Sequence, residues 1–276
     1  MVVAPSIQDF DAATTRLPAP AASRIGITGI TGTAGRLSRR PAGGLVRKIR
    51  PANRPAISLA QQAIAAGRPF VTSGGTPSLG YRITKRAMDL AGAIVLLAAL
   101  SPLMAAIFLV LTVTTKGKPL FFQKRLGCQG RPFRMAKFRT MVADAETRQA
   151  AVRNEQAGPV FKNRRDPRVT RFGALLRSAS LDELPQLVNV LFGQMSLVGP
   201  RPPIAHEVAR YEPWQRRRLA VKPGLTCLWQ ISGRCEIGFL DWVRMDLWYI
   251  KNRGVWTDLW LLAKTPLAVL SRRGAY

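Results

Sequence analysis

The sequence is poor in histidine, cysteine and acidic residues. Its 276 residues contain one His, three Cys and 15 Asp or Glu, against 42 Lys or Arg. A single histidine excludes a multi-histidine metal site and leaves only His206 for a Ser-His-Asp triad. Three cysteines exclude a disulfide-rich scaffold. The net charge of +27 implies an anionic partner: nucleic acid, a phosphorylated small molecule or an acidic membrane surface.

The first 80 residues lack the apolar periodicity of a folded domain. They contain ten Gly, eight Pro and only two acids, Asp9 and Asp11. Such a segment buries too little apolar surface to offset the entropy lost on ordering its backbone. We therefore predict a disordered basic N-terminal segment over residues 1–80, with a composition that is also typical of an organelle transit peptide.

The longest uncharged run covers Leu90–Thr115, 26 residues without a charged side chain. As a helix it would be about 39 Å long, which exceeds a bilayer core of about 30 Å. Length alone is therefore consistent with a spanning helix or a buried core helix. Pro102 near its centre removes a backbone hydrogen bond and predicts a kink, and Ser101 can hydrogen-bond a freed carbonyl.

Positive charges flank this run on both sides. Arg82, Lys85 and Arg86 precede it, and Lys116 and Lys118 follow it. Cationic flanks belong on the cytoplasmic face, so a single span would place one cluster on the wrong side. A helix-break-helix over residues 81–116 that enters and leaves by the cytoplasmic face satisfies both flanks. By physical reasoning alone, the spanning and re-entrant interpretations both remain open.

The remaining residues, 117–276, are predicted to form one domain lying against that membrane face. Short strands or turns are expected at Phe121–Gln123 and Phe133–Phe138, and helical spacing is found in Leu175–Phe192 and Ala205–Leu219. The segment Trp242–Leu270 is rich in Trp and Leu. That composition fits either an amphipathic segment at the membrane interface or packing in a helical core.

An adjacent acid pair, Asp182 and Glu183, stands out because acids are scarce. Ser180 and Glu183 form an S-x-x-E capping box, and Pro185 is early enough to be tolerated, so a helix is predicted to begin here. Plain helix capping is one interpretation of this pattern. The other is chemical, because a helix start also offers unpaired N–H groups to a phosphate.

Basic residues surround this pair along the chain. They are Lys162, Arg164, Arg165, Arg168, Arg171 and Arg177 upstream, and Arg201 in the Gly199–Pro202 turn downstream. Cations around a carboxylate pair indicate an anionic substrate, a divalent cation or both. Carboxylate oxygens suit Mg²⁺ with substrate phosphates completing its shell. A carboxylate can also act as a nucleophile toward phosphorus.

Several short motifs, in order along residues 85–276, resemble the bacterial sugar transferases. These are small monotopic polyprenyl-phosphate phosphoglycosyl transferases. The matching motifs are Lys85-Arg86 with Asp89, Ser101-Pro102, Lys137-Phe138-Arg139-Thr140-Met141, Asp166-Pro167-Arg168-Val169-Thr170-Arg171, Leu176-Arg177, Ser180 to Gln186, Gly199-Pro200-Arg201-Pro202, Lys222-Pro223-Gly224-Leu225-Thr226 and Trp229 to Arg234. One departure is Cys227, which stands where the family usually has Gly.

The resemblance implies a mechanism. Asp182 would attack the sugar-linked phosphate of a UDP-sugar, release UMP and carry a phosphosugar ester, which undecaprenyl phosphate would then take over. Glu183 would assist as a second acid or base, and Mg²⁺ would bind at Asp182 and Glu183. The phosphate-binding residues would be Lys137, Arg139, Arg177, Arg201, Lys222 and Arg234. The transferred sugar would be glucose or galactose, initiating exopolysaccharide or O-antigen assembly.

The resemblance also implies a fold and a location. We expect a predominantly helical α+β monotopic membrane protein, with a re-entrant helix broken at Ser101-Pro102 and a catalytic domain with interfacial amphipathic helices. That domain would lie on the cytoplasmic face of the bacterial inner membrane. The expected partners are a UDP-sugar, undecaprenyl phosphate and membrane lipids, but not nucleic acid. We also count a homodimer among the candidate assemblies.

Two other functions fit the composition. A membrane-tethered nucleic-acid-binding protein would account for the charge, although the sequence has no recognisable reading module and the acid pair would repel a phosphate backbone. A scaffold without catalysis would leave Asp182 and Glu183 merely capping a helix. Substitution of Asp182 by Asn distinguishes the enzyme from both alternatives, because only the enzyme would lose UMP release.

Overall fold

The computed structural model describes residues 78–156, 158–272 and 274. The predicted disorder of the N-terminal segment therefore lies outside the described residues, except at its last three positions. Of these, Leu79 and Gly80 are helical. The described helices are α1 (Leu79–Thr114), α2 (Arg171–Ser178), α3 (Gln186–Leu191), α4 (Ala205–Ala209), α5 (Leu228–Ser232), α6 (Phe239–Asn252) and α7 (Val255–Ser271), and the strands are β1 (Leu120–Leu126), β2 (Pro132–Phe138), β3 (Ser196–Val198) and β4 (Gly224–Thr226).

The predicted α+β, helix-rich fold is confirmed. Strands β1 and β2 form an antiparallel hairpin whose register pairs Leu120 with Phe138 and Leu126 with Pro132. The predicted segments Phe121–Gln123 and Phe133–Phe138 thus lie within β1 and β2, which are longer than predicted. The turn between them contains Gln129 and Gly130 with positive φ angles, a conformation that glycine adopts without strain. The hairpin places Lys137, near the end of β2, beside the carboxylate pair.

A second, parallel pair of strands positions the Gly199–Pro202 turn. Ser196 of β3 pairs with Gly224 of β4. The two backbone segments approach so closely here that a Cβ at Gly224 would overlap the backbone of Gly199. Glycine is therefore required by close approach rather than by a turn. This contact fixes the path of the chain that leads directly into Arg201.

Helix α1 is tied to the domain by buried polar contacts near its start. Lys85 Nζ lies 3.1 Å from the carboxylate of Asp258 on α7. The carboxylate of Asp89 accepts hydrogen bonds from the Ser196 hydroxyl and the Leu197 backbone N–H, each at 3.0 Å. Because these partners are buried, the start of α1 is held firmly against β3 and α7.

The apolar part of α1 contacts the domain on both sides of Pro102. Ala93 packs into the core cluster that contains Leu197. Ile107 and Leu111 pack into another cluster with Phe138 and Leu176. Residues near the proline are exposed, including Ser101 and Leu103. Of the described helices, α1 alone is long and apolar enough to cross a membrane, judged by length and composition.

The structure does not divide α1 at Ser101–Pro102. One helix runs from Leu79 to Thr114 with Pro102 inside it. The Ser101 hydroxyl donates to the carbonyl of Ala98 at 2.8 Å, the local hydrogen bond that was predicted to make the proline tolerable. The two predicted halves are thus continuous in secondary structure.

The Trp-rich tail forms α6 and α7, and its large side chains differ in exposure. Trp242 and Tyr249 are buried in the core. In contrast, Trp256 is 77% exposed, and Leu259, Leu267 and Leu270 share its helix and are also exposed. The tail therefore contributes core packing through α6 and an unpartnered apolar surface through α7.

Candidate active site

The acid pair lies in a short 3-10 turn, Leu181–Glu183, and not at the start of an α-helix. Ser180 adopts a left-handed conformation with φ of 55° and makes no side-chain capping hydrogen bond. The predicted capping box is therefore wrong, because a left-handed Ser180 cannot take the extended N-cap conformation. Helix α3 begins only at Gln186, after Pro185.

The two acids have different partners although both are only 7% exposed. Glu183 Oε1 accepts hydrogen bonds from Lys137 Nζ at 2.8 Å and from Arg201 Nη1 at 2.9 Å. Asp182 Oδ2 lies 3.8 Å from Lys137 Nζ. Within the described residues Asp182 accepts no hydrogen bond, so its carboxylate is the less committed of the two.

These environments move the two pKa values in opposite directions. Burial raises the pKa of Asp182, and the charge of Lys137 opposes that change only in part. Burial also disfavours the ionised form of Glu183, but Arg201 and Lys137 outweigh it and hold the pKa of Glu183 well below its usual value. Burial lowers the pKa of Lys137, while both acids favour its charged form. Pairs whose pKa values are driven apart are typical of active sites.

The acid pair opens onto a pocket of about 580 Å³. Eight Lys or Arg side chains and five Asp or Glu side chains line it. Besides Asp182 and Glu183, the predicted site residues that line the pocket are Lys137, Arg139, Arg177, Arg201 and Arg234. The excess of basic over acidic side chains suits a ligand with several negative charges.

The predicted phosphate-binding residues differ in how they are held. Arg177 donates through Nε to Thr140 Oγ1 at 2.9 Å, which leaves its terminal nitrogens for other partners. Arg139 donates to the carbonyl of Lys118 at 2.7 Å. Arg234 has a positive φ of 52° and donates to the carbonyl of Gln230 at 3.4 Å.

Lys222 and His206 lie apart from these residues. Lys222 is exposed and is not among the residues that line the pocket. Its Nζ and the Arg86 guanidinium both lie close to Gly193. His206 is exposed on α4 and does not line the pocket either. Cys227 is buried with an extended backbone, φ of −157°, so no glycine-type conformation is required there.

Sequence reasoning missed two features of this region. Arg218 is buried, and it forms an ion pair with the buried Asp246. Lys162 Nζ lies over the rings of Trp229 and Trp242, at 4.6 and 5.2 Å from their centroids. No local pattern signals either contact, because the partners come from separate segments of the chain.

The donor set of the acid pair fits a magnesium ion that is shared with a substrate. The described residues contain no group of three or more His, Cys, Asp or Glu side chains placed to hold a metal. Mg²⁺ in phosphate chemistry is usually bound by one or two carboxylates, with phosphate oxygens and water completing its shell. Asp182 has uncommitted carboxylate oxygens for this purpose, and Glu183 stands next to it.

The fold and the site define a class of protein: a domain built on one long apolar helix, with a buried carboxylate pair in a basic pocket suited to phosphorylated ligands. In comparisons with known proteins, residues 80–272 match the family described as bacterial sugar transferase. The chain belongs to the bacterial sugar transferase family.

Individual relatives agree with this assignment. The chain is 45% identical over 199 residues to the galactosyl transferase CpsE of Streptococcus agalactiae, covering 71% of this chain and 44% of that protein. It is 43% identical over 202 residues to the undecaprenyl-phosphate galactose phosphotransferase of Salmonella typhimurium, covering 71% and 42%. It is 39% identical over 200 residues to the exopolysaccharide production protein ExoY of Sinorhizobium fredii, covering 70% and 88%. The match thus spans less than half the length of the first two relatives and most of the third.

Proposed function

We propose that this protein is a phosphoglycosyl transferase that moves a hexose-1-phosphate from a UDP-sugar to undecaprenyl phosphate and releases UMP. The observation that carries the proposal is the buried Asp182–Glu183 pair facing a basic pocket. The names of its relatives include an undecaprenyl-phosphate galactose phosphotransferase and a UDP-galactose-lipid carrier transferase. These comparisons do not favour a nucleic-acid-binding protein or a scaffold without catalysis.

Asp182 is the proposed nucleophile. Its carboxylate has no hydrogen-bond donor committed to it among the described residues, whereas Glu183 is held by Lys137 and Arg201. An uncommitted carboxylate can attack the sugar-linked phosphorus to form an aspartyl phosphosugar ester. The phosphate of undecaprenyl phosphate then attacks the same phosphorus and frees Asp182. Two displacements at one carboxylate predict ping-pong kinetics.

Glu183 then has a different role from its neighbour. Its two ion pairs keep Lys137 and Arg201 at the pocket, where their charges face an incoming phosphate. Arg139, Arg177 and Arg234 add positive charge to the same pocket. Such fixed cations stabilise the charge that develops on transferred phosphoryl oxygens.

The proposal includes Mg²⁺ bound by Asp182 and Glu183 together with substrate phosphates. When bound, the ion would neutralise part of the diphosphate charge. The residues of the chain orient the substrate: Lys137 and Arg201 would hold phosphate oxygens, and Asp182 would attack the phosphorus.

We further propose that α1 is a re-entrant membrane helix and that the rest of the chain, 117–276, lies on the cytoplasmic face of the bacterial inner membrane. Support comes from its contacts on both sides of Pro102, because one domain cannot touch both ends of a helix that spans the bilayer. The exposed apolar residues around Pro102 would enter the bilayer, and the exposed face of α7 would lie at its surface. This arrangement would bring the lipid phosphate acceptor to the same interface as the pocket.

The proposed sugar is glucose or galactose, and the proposed pathway is initiation of exopolysaccharide or O-antigen assembly. Three of the relatives are named for galactose or galactosyl transfer and two for exopolysaccharide production. A more distant relative from Aeromonas hydrophila is named as an N-acetylgalactosamine phosphotransferase. A panel of UDP-sugars that includes N-acetylated hexoses therefore tests the choice of substrate.

The decisive experiment measures UMP release by membranes that contain the protein, with UDP-sugars and undecaprenyl phosphate. Asp182→Asn keeps the size of the side chain but removes its nucleophilic oxygen, so we expect UMP release to cease. Membrane association and thermal unfolding should be unchanged. Asp241→Asn, at an exposed acid on α6, is the matched control and should remain active. UMP release by Asp182→Asn at the wild-type rate would exclude Asp182 as the nucleophile.

A further inference from the structure

Among the described residues, three hydrogen-bond donors in the pocket have no oxygen or nitrogen acceptor. They are Lys162 Nζ, Trp229 Nε1 and Trp242 Nε1, and each of these atoms is buried. All three residues line the pocket. We call these atoms the donor trio. The Cys235 side chain also interacts with Lys162, but a thiol is a weak acceptor. Buried N–H groups nearly always have an oxygen or nitrogen acceptor in folded proteins, so three such donors without one indicate a bound group that accepts hydrogen bonds.

The donor trio is held together by ring stacking. The rings of Trp229 and Trp242 stack with centroids 4.7 Å apart and an angle of 21° between their planes. Lys162 Nζ lies over both rings. The ring faces attract its positive charge but contain no lone-pair acceptor for its N–H groups. The lysine is thus positioned by the two tryptophans and still able to donate.

Arg201 lies close to both the acid pair and the donor trio. Arg201 pairs with Glu183, and its guanidinium carbon lies 5.6 Å from the centroid of Trp229. Lys162 Nζ lies 4.6 Å from the same centroid. Arg201 and Lys162 therefore bring two positive charges to one indole ring. Burial lowers the pKa of Lys162, Cys235 partly opposes that change, and the charge of Arg201 adds to it. An anion bound beside them would favour the charged form of Lys162 and offset its repulsion by Arg201.

We propose that the donor trio binds the phosphate of the UMP leaving group. This inference rests on the proposed function. A phosphate offers only acceptor oxygens, which matches a set made only of donors. In an in-line displacement the leaving oxygen lies opposite the nucleophile across the reacting phosphorus. With Asp182 as the nucleophile, the leaving phosphate extends away from the attacking carboxylate, and the donor trio in the same pocket can receive it.

With this assignment, the negative charge on the leaving oxygen in the first displacement is stabilised without a proton donor. A bond forms between an Asp182 carboxylate oxygen and the sugar-linked phosphorus, and the bond from that phosphorus to the bridging oxygen breaks. The electron pair stays on the bridging oxygen, which becomes a terminal oxygen of UMP. The negative charge that develops there is met by the Lys162 ammonium and the two indole N–H groups.

Lys162→Met tests the proposal, because methionine is flexible, apolar and favourable against aromatic rings. We expect inhibition by UMP to weaken by about tenfold or more, the loss of one hydrogen bond to a charged group. The kcat/KM for the UDP-sugar should fall by a similar factor, while the KM for undecaprenyl phosphate stays unchanged. Lys162→Arg should recover part of the loss. Arg165→Met, at an exposed position in the same segment, is the matched control and should behave as wild type.

A second variant addresses the indole donors without removing a ring. Trp242→Phe keeps an aromatic surface for Lys162 but deletes one N–H group, so UMP inhibition should weaken by less than in Lys162→Met. Unchanged UMP inhibition in both variants would overturn the inference, and so would an equal loss of affinity for the lipid acceptor.

Equilibrium binding of UMP to Asp182→Asn, with and without Lys162→Met, separates this inference from the proposed function, since it requires no turnover. If UMP binds through Lys162 but the wild-type protein releases no UMP from any UDP-sugar, the proposed reaction fails and the phosphate site stands. If the wild-type protein turns over but Lys162→Met leaves UMP binding unchanged, the reaction stands and the phosphate site fails.

Discussion

The guanidinium of Arg201 donates to Glu183 Oε1 at 2.9 Å, which joins the turn after β3 to the acid pair. The same carboxylate oxygen accepts from Lys137 on β2. One glutamate thus holds two cations that come from different parts of the fold. Among the residues that the structure describes, its neighbour Asp182 has a single, longer ion pair. The chemical difference between the two adjacent acids follows from this geometry.

Replacement of Glu183 should therefore affect the protein differently from replacement of Asp182. Glu183→Gln removes the charge that pairs with Lys137 and Arg201, and breaking a buried pair costs about 3–5 kcal/mol of folding stability. We expect a lower unfolding midpoint together with slow residual UMP release. Thermal unfolding and initial rates on the same preparation provide the measurement. A variant that was fully stable and wholly inactive would instead indicate that Glu183 acts directly in the chemistry.

The rate of UMP release should fall on the acid side at a pH set by Asp182. Burial raises the pKa of this carboxyl above the ordinary value of 3.8, and a protonated Asp182 cannot attack. Because the charge of Lys137 opposes that rise, Lys137→Met should move the acid limb of the pH–rate profile to higher pH. Glu183, whose pKa is lowered, stays ionised throughout this range.

The position of the acid limb on the pH axis can be compared between Lys137 variants even if their maximal rates differ. Lys137→Arg keeps the positive charge and should leave the acid limb where the wild-type protein has it. An unmoved limb in Lys137→Met would show that another group controls the acid side.

The buried pair of Arg218 and Asp246 should be a major contributor to stability. Asp246→Asn leaves a buried guanidinium without its counter-charge, at a cost of about 3–5 kcal/mol. Asp241 pairs with Arg244 on the surface of the same helix, so Asp241→Asn should cost at most about 1 kcal/mol. Chemical unfolding in detergent or nanodiscs compares the two. Equal effects would show that the buried pair has no special role.

Both ends of α1 should be accessible from the same side of the membrane. With Cys128, Cys227 and Cys235 replaced by Ser, single cysteines at Gly80 and Lys118 should react with an impermeant maleimide in inverted vesicles. Neither should react in right-side-out vesicles. A cysteine at Leu103, near the exposed centre of the helix, should be protected by lipid in both. Labelling of Gly80→Cys and Lys118→Cys from opposite sides would support a spanning helix.

Much of the framework could be predicted from local pattern. The hairpin of β1 and β2 follows from apolar residues that flank Gly127 and Gly130, and the apolar run of α1 is evident from its lack of charge. The capping box failed because Ser180 takes a left-handed conformation that its sequence does not signal. Pro185 is consistent with the later start of α3.

The sequence by itself determined the class of protein: its long apolar run, its excess of positive charge and the order of its motifs are properties of the chain. Only the tertiary structure decided which charges act together. Lys137, Glu183 and Arg201 meet from three separate segments, as do Lys162, Trp229 and Trp242. The physical reason is that pKa values and ion pairs depend on burial and on distances of a few ångström, and folding sets both between residues that are remote in sequence.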